Sequence, residues 1–580
     1  MPERGVFWAG LVRPPQLMTK KQLKHESAYA GRWVARVQGR IVGQGGTPEA
    51  ARRAGQANRH KERPEISYVQ SAWSPTFSPL LDKLALEARE QDVYLVGGCV
   101  RDALLGVASH DFDLVVPNNA ISLARRVAGA LGADFYILDE SFDAARVIVS
   151  DPSGARDVLD FSSFRGDSIA ADLEGRDFTI NAIALDLRDR TTLDPLQGTS
   201  DLRAKTIRAC SPAAIQDDPI RILRAVRLAA ALDFKIEPAT RHAMKVAARL
   251  LPTTSVERQR DELFKILDGA RPDASVRALE MLGVLAHVMP ELTKLKGVTQ
   301  STPHVHDVWE HTLSVMRHLA EILDLLLEGR LGEANGMHSS MLGLCIGRYR
   351  PQLGEHFARP LNQDRTLRAL LQFAALYHDI CKPSSRSVDA EGGIKFLGHE
   401  HEGGQMVVRR GHQFNLSNGE VARLEAIVEN HLRFFFLAAP KEEEDAYPSR
   451  RAIYRFFHDA GESAVDLILL GLADLRGTRD HMLTEKSWSA WLDVARVLLD
   501  NLWEKPGESV APPRLIDGHE LMRALELDPG PVIGSLLEAI REAQAAGEVR
   551  TRDDALNLGR DWLAKNGGKA GGGVMRPGVE

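Results

Sequence analysis

Residues 93–116 read VYLVGGCVRDALLGVASHDFDLVV, and this stretch decides the fold of the first half of the chain. Val93–Val96 is a short apolar run of strand type, Gly97-Gly98 breaks it, Val100–Leu105 has helical spacing, and Phe112–Val116 is apolar again. Two glycines opening a helix let backbone N–H groups approach a polyphosphate closely, and the helix N-terminus adds favourable partial charge. Asp111 and Asp113, two apart entering a strand, place both carboxylates on one face, where they can share divalent metal. A glycine pair alone is usually only a turn, and an isolated D-x-D usually a solvated loop. Together, in this order, they suggest metal-assisted nucleotidyl transfer.

Composition bounds the rest. A chain of 580 residues, 44% hydrophobic and 26% charged, should hold several domains of an ordinary water-soluble type. The net charge of −6 does not advertise nucleic-acid binding, so any RNA contact must come from local clusters. Four scattered cysteines without C-x-x-C spacing point to a reducing compartment, and no apolar run reaches membrane-span length. The expectation is a cytoplasmic protein without a membrane partner. Nothing in the sequence addresses its oligomeric state.

The order LVGGCVRDALLG then DFDLVV resembles the head of the class II tRNA nucleotidyltransferase and bacterial poly(A) polymerase family. The resemblance implies that Asp111 and Asp113 are catalytic and hold Mg²⁺, and that Gly97, Gly98 and Arg101 hold the triphosphate. Asp160, on a later strand, is either a third metal-facing carboxylate or an edge-strand acid. Arg176-Asp177-Phe178-Thr179-Ile180-Asn181 is similar to the family's RRDFTINA motif, which is credited with distinguishing ribose; Arg176, Asp177 and Asn181 match, while Gly175 replaces an arginine. Asp217-Asp218-Pro219-Ile220-Arg221 with Arg224 resembles the EDxxR motif, implying that Asp218 and Arg221 select incoming CTP and ATP without a template. Arg224 shares their helix face, and Arg227, Arg241, Lys245, Arg249, Arg258 and Arg260 supply local positive charge. Many CCA-adding relatives carry a long loop before the RRDFTINA motif, associated with the switch from adding C to adding A. Here Arg165-Gly166-Asp167-Ser168 is short, as in relatives that add only the terminal A or make poly(A), and this argues against full CCA addition.

A second constellation, His311, His378-Asp379, His399, His431 and Asp474, resembles the HD phosphohydrolase superfamily and implies a second divalent, transition-type metal in a helical bundle. Relatives with an intact set are associated with phosphatase and cyclic phosphodiesterase activity on RNA ends.

The expected fold class is α+β: a mixed-sheet nucleotidyltransferase head, then an all-helical neck, a helical HD domain and a helical tail. The expected boundaries are 1–75 for a basic appendage of hairpin plus helix, 76–205 for the head and 206–295 for the nucleotide-selecting, RNA-binding neck. The HD domain should span 296–490 and the tail 491–580. In the appendage, strands Arg32–Val37 and Arg40–Gly45 flank a Gln38-Gly39 turn, and a helix capped by Thr47 should stop at Gly55. Stretches Gly332–Leu361 and Lys441–Ser449 read as surface loops, and Pro531 as a helix start that either seats an RNA phosphate or serves packing alone. The functional expectation is a template-independent tRNA nucleotidyltransferase adding CCA or its terminal A from CTP and ATP with Mg²⁺. Two alternatives stand beside it: a poly(A) polymerase acting on other RNA 3′ ends, and an RNA-binding HD phosphohydrolase with an inactive head.

Overall fold

Alternating apolar residues in the first third of the chain build two sheets. The computed structural model describes residues 32–37, 40–45, 48–58, 63–69, 79–89, 91–150, 156–329, 336–362 and 365–566. The chain divides into two units, residues 1–174 with 180–198 and residues 175–179 with 199–580. The short segment bearing Arg176 and Asp177 thus groups with the second unit, although the expected head boundary lies after it.

In the first unit, β1 (Arg32–Val37), β2 (Arg40–Gly45) and β3 (Glu65–Val69) form a sheet of order β2-β1-β3, packed by α1 (Pro48–Asn58). The Gln38-Gly39 turn and the Thr47 cap lie outside the described residues. Helix α1 does not stop at Gly55 but runs on to Asn58. The glycine serves packing instead: a Cβ there would lie 2.5 Å from Ala35 Cβ.

The larger sheet follows helix α2 (Pro79–Glu87). Its members are β4 (Tyr94–Val96), β5 (Asp111–Val116), β6 (Asp134–Asp139), β7 (Ala144–Ser150), β8 (Arg156–Ser163), β9 (Ala184–Asp186) and β10 (Thr192–Leu193), in the order β10-β9-β4-β5-β8-β7-β6. Helix α3 (Gly98–Leu104) joins β4 to β5, and α4 (Ala120–Leu131) joins β5 to β6. Strands β5 and β8 run parallel, and the other pairs are antiparallel. Period two sorts the residues: Phe112, Leu114, Ala145, Val147, Leu159 and Phe161 are buried on the side where α4 packs with Leu123, Ala124 and Val127. Asp143 satisfies the start of α4, accepting from Ala120 N–H at 2.7 Å and Ile121 N–H at 3.0 Å. The opposite face is left to Asp111, Asp113 and Asp160.

The second unit is helical, with two short two-stranded ladders that the all-helical expectation omitted: Thr206–Ile207 beside Lys235–Ile236, and Arg386–Val388 beside Ile394–Phe396. Its principal helices for function are α5 (Arg221–Leu232), α6 (Val256–Leu267), α7 (Val308–Leu323), α8 (Leu367–Tyr377), α9 (His399–Gln413), α10 (Asn418–Asn430) and α11 (Ala464–Arg479). Of the two stretches read as loops, the first is largely helical over its described residues 336–361, whereas in the second only Lys441–Glu444 is helical and 445–449 is irregular, as expected. Met337–Ile346 and Arg350–Ala358 bury Leu342, Ile346 and Leu353, and helix Arg433–Glu444 carries Glu442 into hydrogen bonds with Trp491 Nε1 (2.8 Å) and Arg479 NH2 (2.9 Å). In the first stretch the apolar residues, sparse but helically spaced, outweigh the flanking glycines and charges. The expected HD–tail boundary falls inside helix Glu485–Trp503, whose Trp488 and Trp491 are buried. Beyond it the tail has its own small core of Ile516, Leu521, Ile533, Leu536 and Ile540.

Candidate active site and metal centre

The carboxylate pair sits where strand periodicity puts it. Asp111 and Asp113 are exposed at the start of β5 while Phe112 and Leu114 between and beyond them are buried. Across the parallel pairing Asp113 lies opposite Asp160 on β8. Asp160 is committed elsewhere, however: Arg146 of β7, itself opposite Asp160, grips it through Nε (2.7 Å) and NH2 (2.8 Å). The structure therefore reads Asp160 as an ion-paired acid beside the pair, with an arginine whose role only the cross-strand register of β7 and β8 reveals. Asp160, Asp111 and Asp113 together hold the Arg146 guanidinium above its ordinary pKa, with the hydrogen bonds to Asp160 the largest cause.

The glycine turn takes its expected shape. Gly97 has φ 81°, in the left-handed region, and Gly98 opens α3. Arg101 donates to Asp102 through Nε (2.8 Å) and NH2 (2.9 Å), and through NH1 to Asn181 Oδ1 at 2.7 Å. Two residues expected to touch nucleotide thus support each other.

In the second unit the remaining expected residues form one network. The Arg221 guanidinium is buried and donates to the carbonyls of Arg176 (3.0 Å), Ala214 (3.2 Å) and Gly175 (2.9 Å), which fixes the backbone leading into Asp177. Its Nε lies 3.9 Å from Asp218, whose closer partner is Arg258 NH2 at 2.7 Å. Arg224 donates to Asp177 at 3.0 Å and stands 3.5 Å from Glu262, which also receives Arg227 at 2.7 Å. Burial works against the Arg224 charge, but Asp177 and Glu262 raise its pKa. Glu262 on α6 was not foreseen as a site residue; its place four residues after Arg258, on one helix face, was the available signal.

The second constellation converges. His311 (α7), His378 and Asp474 form one set of donors within 4.8 Å of one another, and Asp379, His399 and His431 form another. The sequence expectation counted one metal here; the geometry offers two three-donor sets. The Nδ1–H groups of His378, His399 and His431 face the carbonyls of Ala375 (2.7 Å), Phe396 (2.6 Å) and Val428 (2.7 Å), which turns each Nε2 inward. Both carboxylate oxygens of Asp379 and Nε2 of His399 are buried without a hydrogen-bond partner. Donors of this kind suit divalent cations, because a buried carboxylate without hydrogen bonds is otherwise costly. Lys382, also unforeseen, brings Nζ to 2.7 Å from Asp379 Oδ2 without the alignment of a hydrogen bond. Among these side chains alone, burial opposes protonation of His311, but Asp379 and Asp474 push its pKa up to about 9, while burial and then His378 bring His431 down to about 3.

Residues 93–208 match the Poly A polymerase head domain, residues 233–296 the probable RNA and SrmB-binding site of polymerase A, and residues 308–460 the HD domain. An A-adding tRNA nucleotidyltransferase of Deinococcus radiodurans is 32% identical over 480 residues, 82% of this chain and 96% of the relative. A CC-adding tRNA nucleotidyltransferase of Thermus thermophilus is 30% identical over 497 residues, 84% of this chain and 97% of the relative. A solved CCA-adding enzyme with CTP shares the fold, with TM-score 0.54 and 23% identity over 84% of this chain and 95% of that one. Among the described residues no helix is long and apolar enough to cross a membrane. The head with its paired carboxylates, the neck and the histidine-aspartate bundle, matched along nearly the whole of these relatives, make this chain a member of the tRNA nucleotidyltransferase family.

Proposed function

We propose that this chain builds part of the 3′-terminal CCA of tRNA from nucleoside triphosphates and Mg²⁺. The exposed Asp111–Asp113 pair carries the reading. These carboxylates would hold Mg²⁺, which supplies Lewis-acid stabilisation for attack of the RNA 3′-hydroxyl on the α-phosphate and for departure of pyrophosphate. Gly97, Gly98 and Arg101 hold the triphosphate, and Asn181 keeps Arg101 in place. Arg176 and Asp177 recognise the ribose. Asp218 and Arg221 distinguish the bases of CTP and ATP, with Arg258 holding Asp218.

Restriction to part of CCA is supported by the connection from β8 to Ile169–Glu174. Arg165 N–H donates to Asp172 at 3.2 Å, and a Cβ on Gly166 would meet Ala171 Cβ at 2.9 Å, so this is a short, pinned turn. A turn with no length to rearrange leaves one nucleotide type to add. Terminal-A addition is the first reading, in line with the Deinococcus relative. CC addition, which the sequence expectation did not include, is the second, in line with the Thermus relative. The test is incorporation of labelled CTP or ATP into tRNA lacking CCA, tRNA ending in CC, and an unstructured RNA. One A on the CC end alone gives the first reading, two C residues on the shortest tRNA the second. A complete CCA, or long A tails, rejects both.

For the histidine-aspartate cluster we propose a divalent-metal phosphohydrolase site acting on RNA-end phosphoesters, with its six side chains as ligands.

A further inference from the structure

Strand register assigns a role to the open face of the head sheet that the transfer chemistry does not use. Asp113 pairs with Asp160, Asp160 with Arg146, and Arg146 with Tyr136 of β6. Directly paired residues point the same way, so Asp113, Asp160, Arg146 and Tyr136 form one row on one face. At about 4.8 Å per strand the row spans about 15 Å from the metal-facing carboxylate to the sheet edge. Charge and apolar character divide along it. Asp160 holds Arg146 bidentately, which fixes the guanidinium within reach of the carboxylate pair. Tyr136 is 51% exposed, and Ile137, Leu138 and Phe142 of the same hairpin are exposed with it. Ile137 pairs with Ala145 and so lies on the other face, but an exposed aromatic ring at the open end of this row is available to stack on a flat partner.

We propose that this row binds the 3′-terminal nucleotides of the RNA being extended. Arg146 contacts a backbone phosphate, and Tyr136 stacks on a base one or two nucleotides back from the reacting hydroxyl. The inference rests on the nucleotidyl-transfer reading, and its argument for RNA is continuity with the carboxylates: a strand whose 3′-hydroxyl lies at Asp113 must leave the site over some part of this sheet. An aromatic ring next to a cation fixed by an acid is the chemistry that holds single-stranded nucleic acid without reading its sequence.

The test measures half-saturation for tRNA and for nucleoside triphosphate separately, using whichever of the CC-ended or CCA-less transcripts the wild-type enzyme extends. Tyr136→Ala should raise the tRNA value about tenfold, the loss expected for one stacked base, with the nucleotide value unchanged. Tyr136→Phe, which keeps the ring, should restore it, and Arg146→Gln should also weaken tRNA. A transcript with a photoreactive base next to its 3′ end should cross-link within residues 134–146. Wild-type tRNA half-saturation in Tyr136→Ala, with cross-links mapping elsewhere, overturns the inference and leaves the hairpin to a protein partner. A wild-type enzyme that extends no RNA would instead defeat the transfer reading itself.

Discussion

Two groups of carboxylates and their neighbours in this chain suit divalent metal, and they are built in opposite ways. Asp111 and Asp113 stand exposed on an open sheet face, where strand periodicity places them. His311, His378, Asp379, His399 and His431 are all buried, each imidazole aimed by its helix or its neighbouring carbonyl. On the proposed reading the first arrangement admits a long polymer end and a triphosphate, so affinity for the metal should come partly from substrate phosphates. The second is preorganised, and the Asp379 oxygens and His399 Nε2 make no hydrogen bonds of their own, so its metal should be tightly held and should stabilise the bundle.

The contrast can be broken most severely at Asp113. Asp113→Ala should lower nucleotide transfer by about a thousandfold or more, since it removes metal-borne stabilisation of the developing charge. It should leave the metal retained through gel filtration unchanged, and elemental analysis checks this. Asp379→Asn should do the reverse to retained metal, lowering it at least about tenfold, the size expected when a ligand or its immediate support is lost.

Chelation sharpens the same difference. Stripped of metal, the bundle carries His311 protonated between Asp379 and Asp474, with its pKa raised to about 9. A pKa raised above the unfolded value near 6.5 gives stability that is fully present below that pH and is lost as pH rises through the folded value. Thermal unfolding of the chelated protein should therefore shift to lower temperature from about pH 6.5 to about pH 9. Metal-loaded protein, whose histidines are already neutral ligands, should show no such decline. An equal decline in both would remove the buried cluster from the account.

The smallest effect belongs to the neck. Glu262→Gln removes the charge shared by Arg224 and Arg227 and should raise the half-saturation for nucleoside triphosphate a few-fold, on the order of one partly buried ion pair. Maximal rate should change little, and steady-state kinetics at saturating tRNA reads both constants.

The head was legible because short-range periodicity and turn chemistry coincide there: the glycine pair and the D-x-D strand are read from neighbours in sequence. The histidine-aspartate set was legible as residue types in order, and the bundle brought them together. What escaped depends on long-range pairing. Arg146 gains meaning only through Asp160 across a strand pair, Glu262 through Arg224 and Arg227, and Lys382 through the cluster it borders. The misread loops, Met337–Ile346 and Arg350–Ala358, fold as helices because their few apolar residues find a core that no local signal announces. Arg221 is instructive in another way: its motif suggested a base-reading side chain, and the structure also makes it the clamp on the backbone around Arg176.

The most direct test of the open carboxylate pair is a change of ligand chemistry at one of them. With Asp113→Cys, the thiolate prefers a softer ion than Mg²⁺. The account predicts that transfer to the preferred tRNA falls below detection with Mg²⁺ and returns in part when Mn²⁺ or Zn²⁺ replaces it. Transfer by Asp113→Cys at the wild-type rate with Mg²⁺ would contradict it.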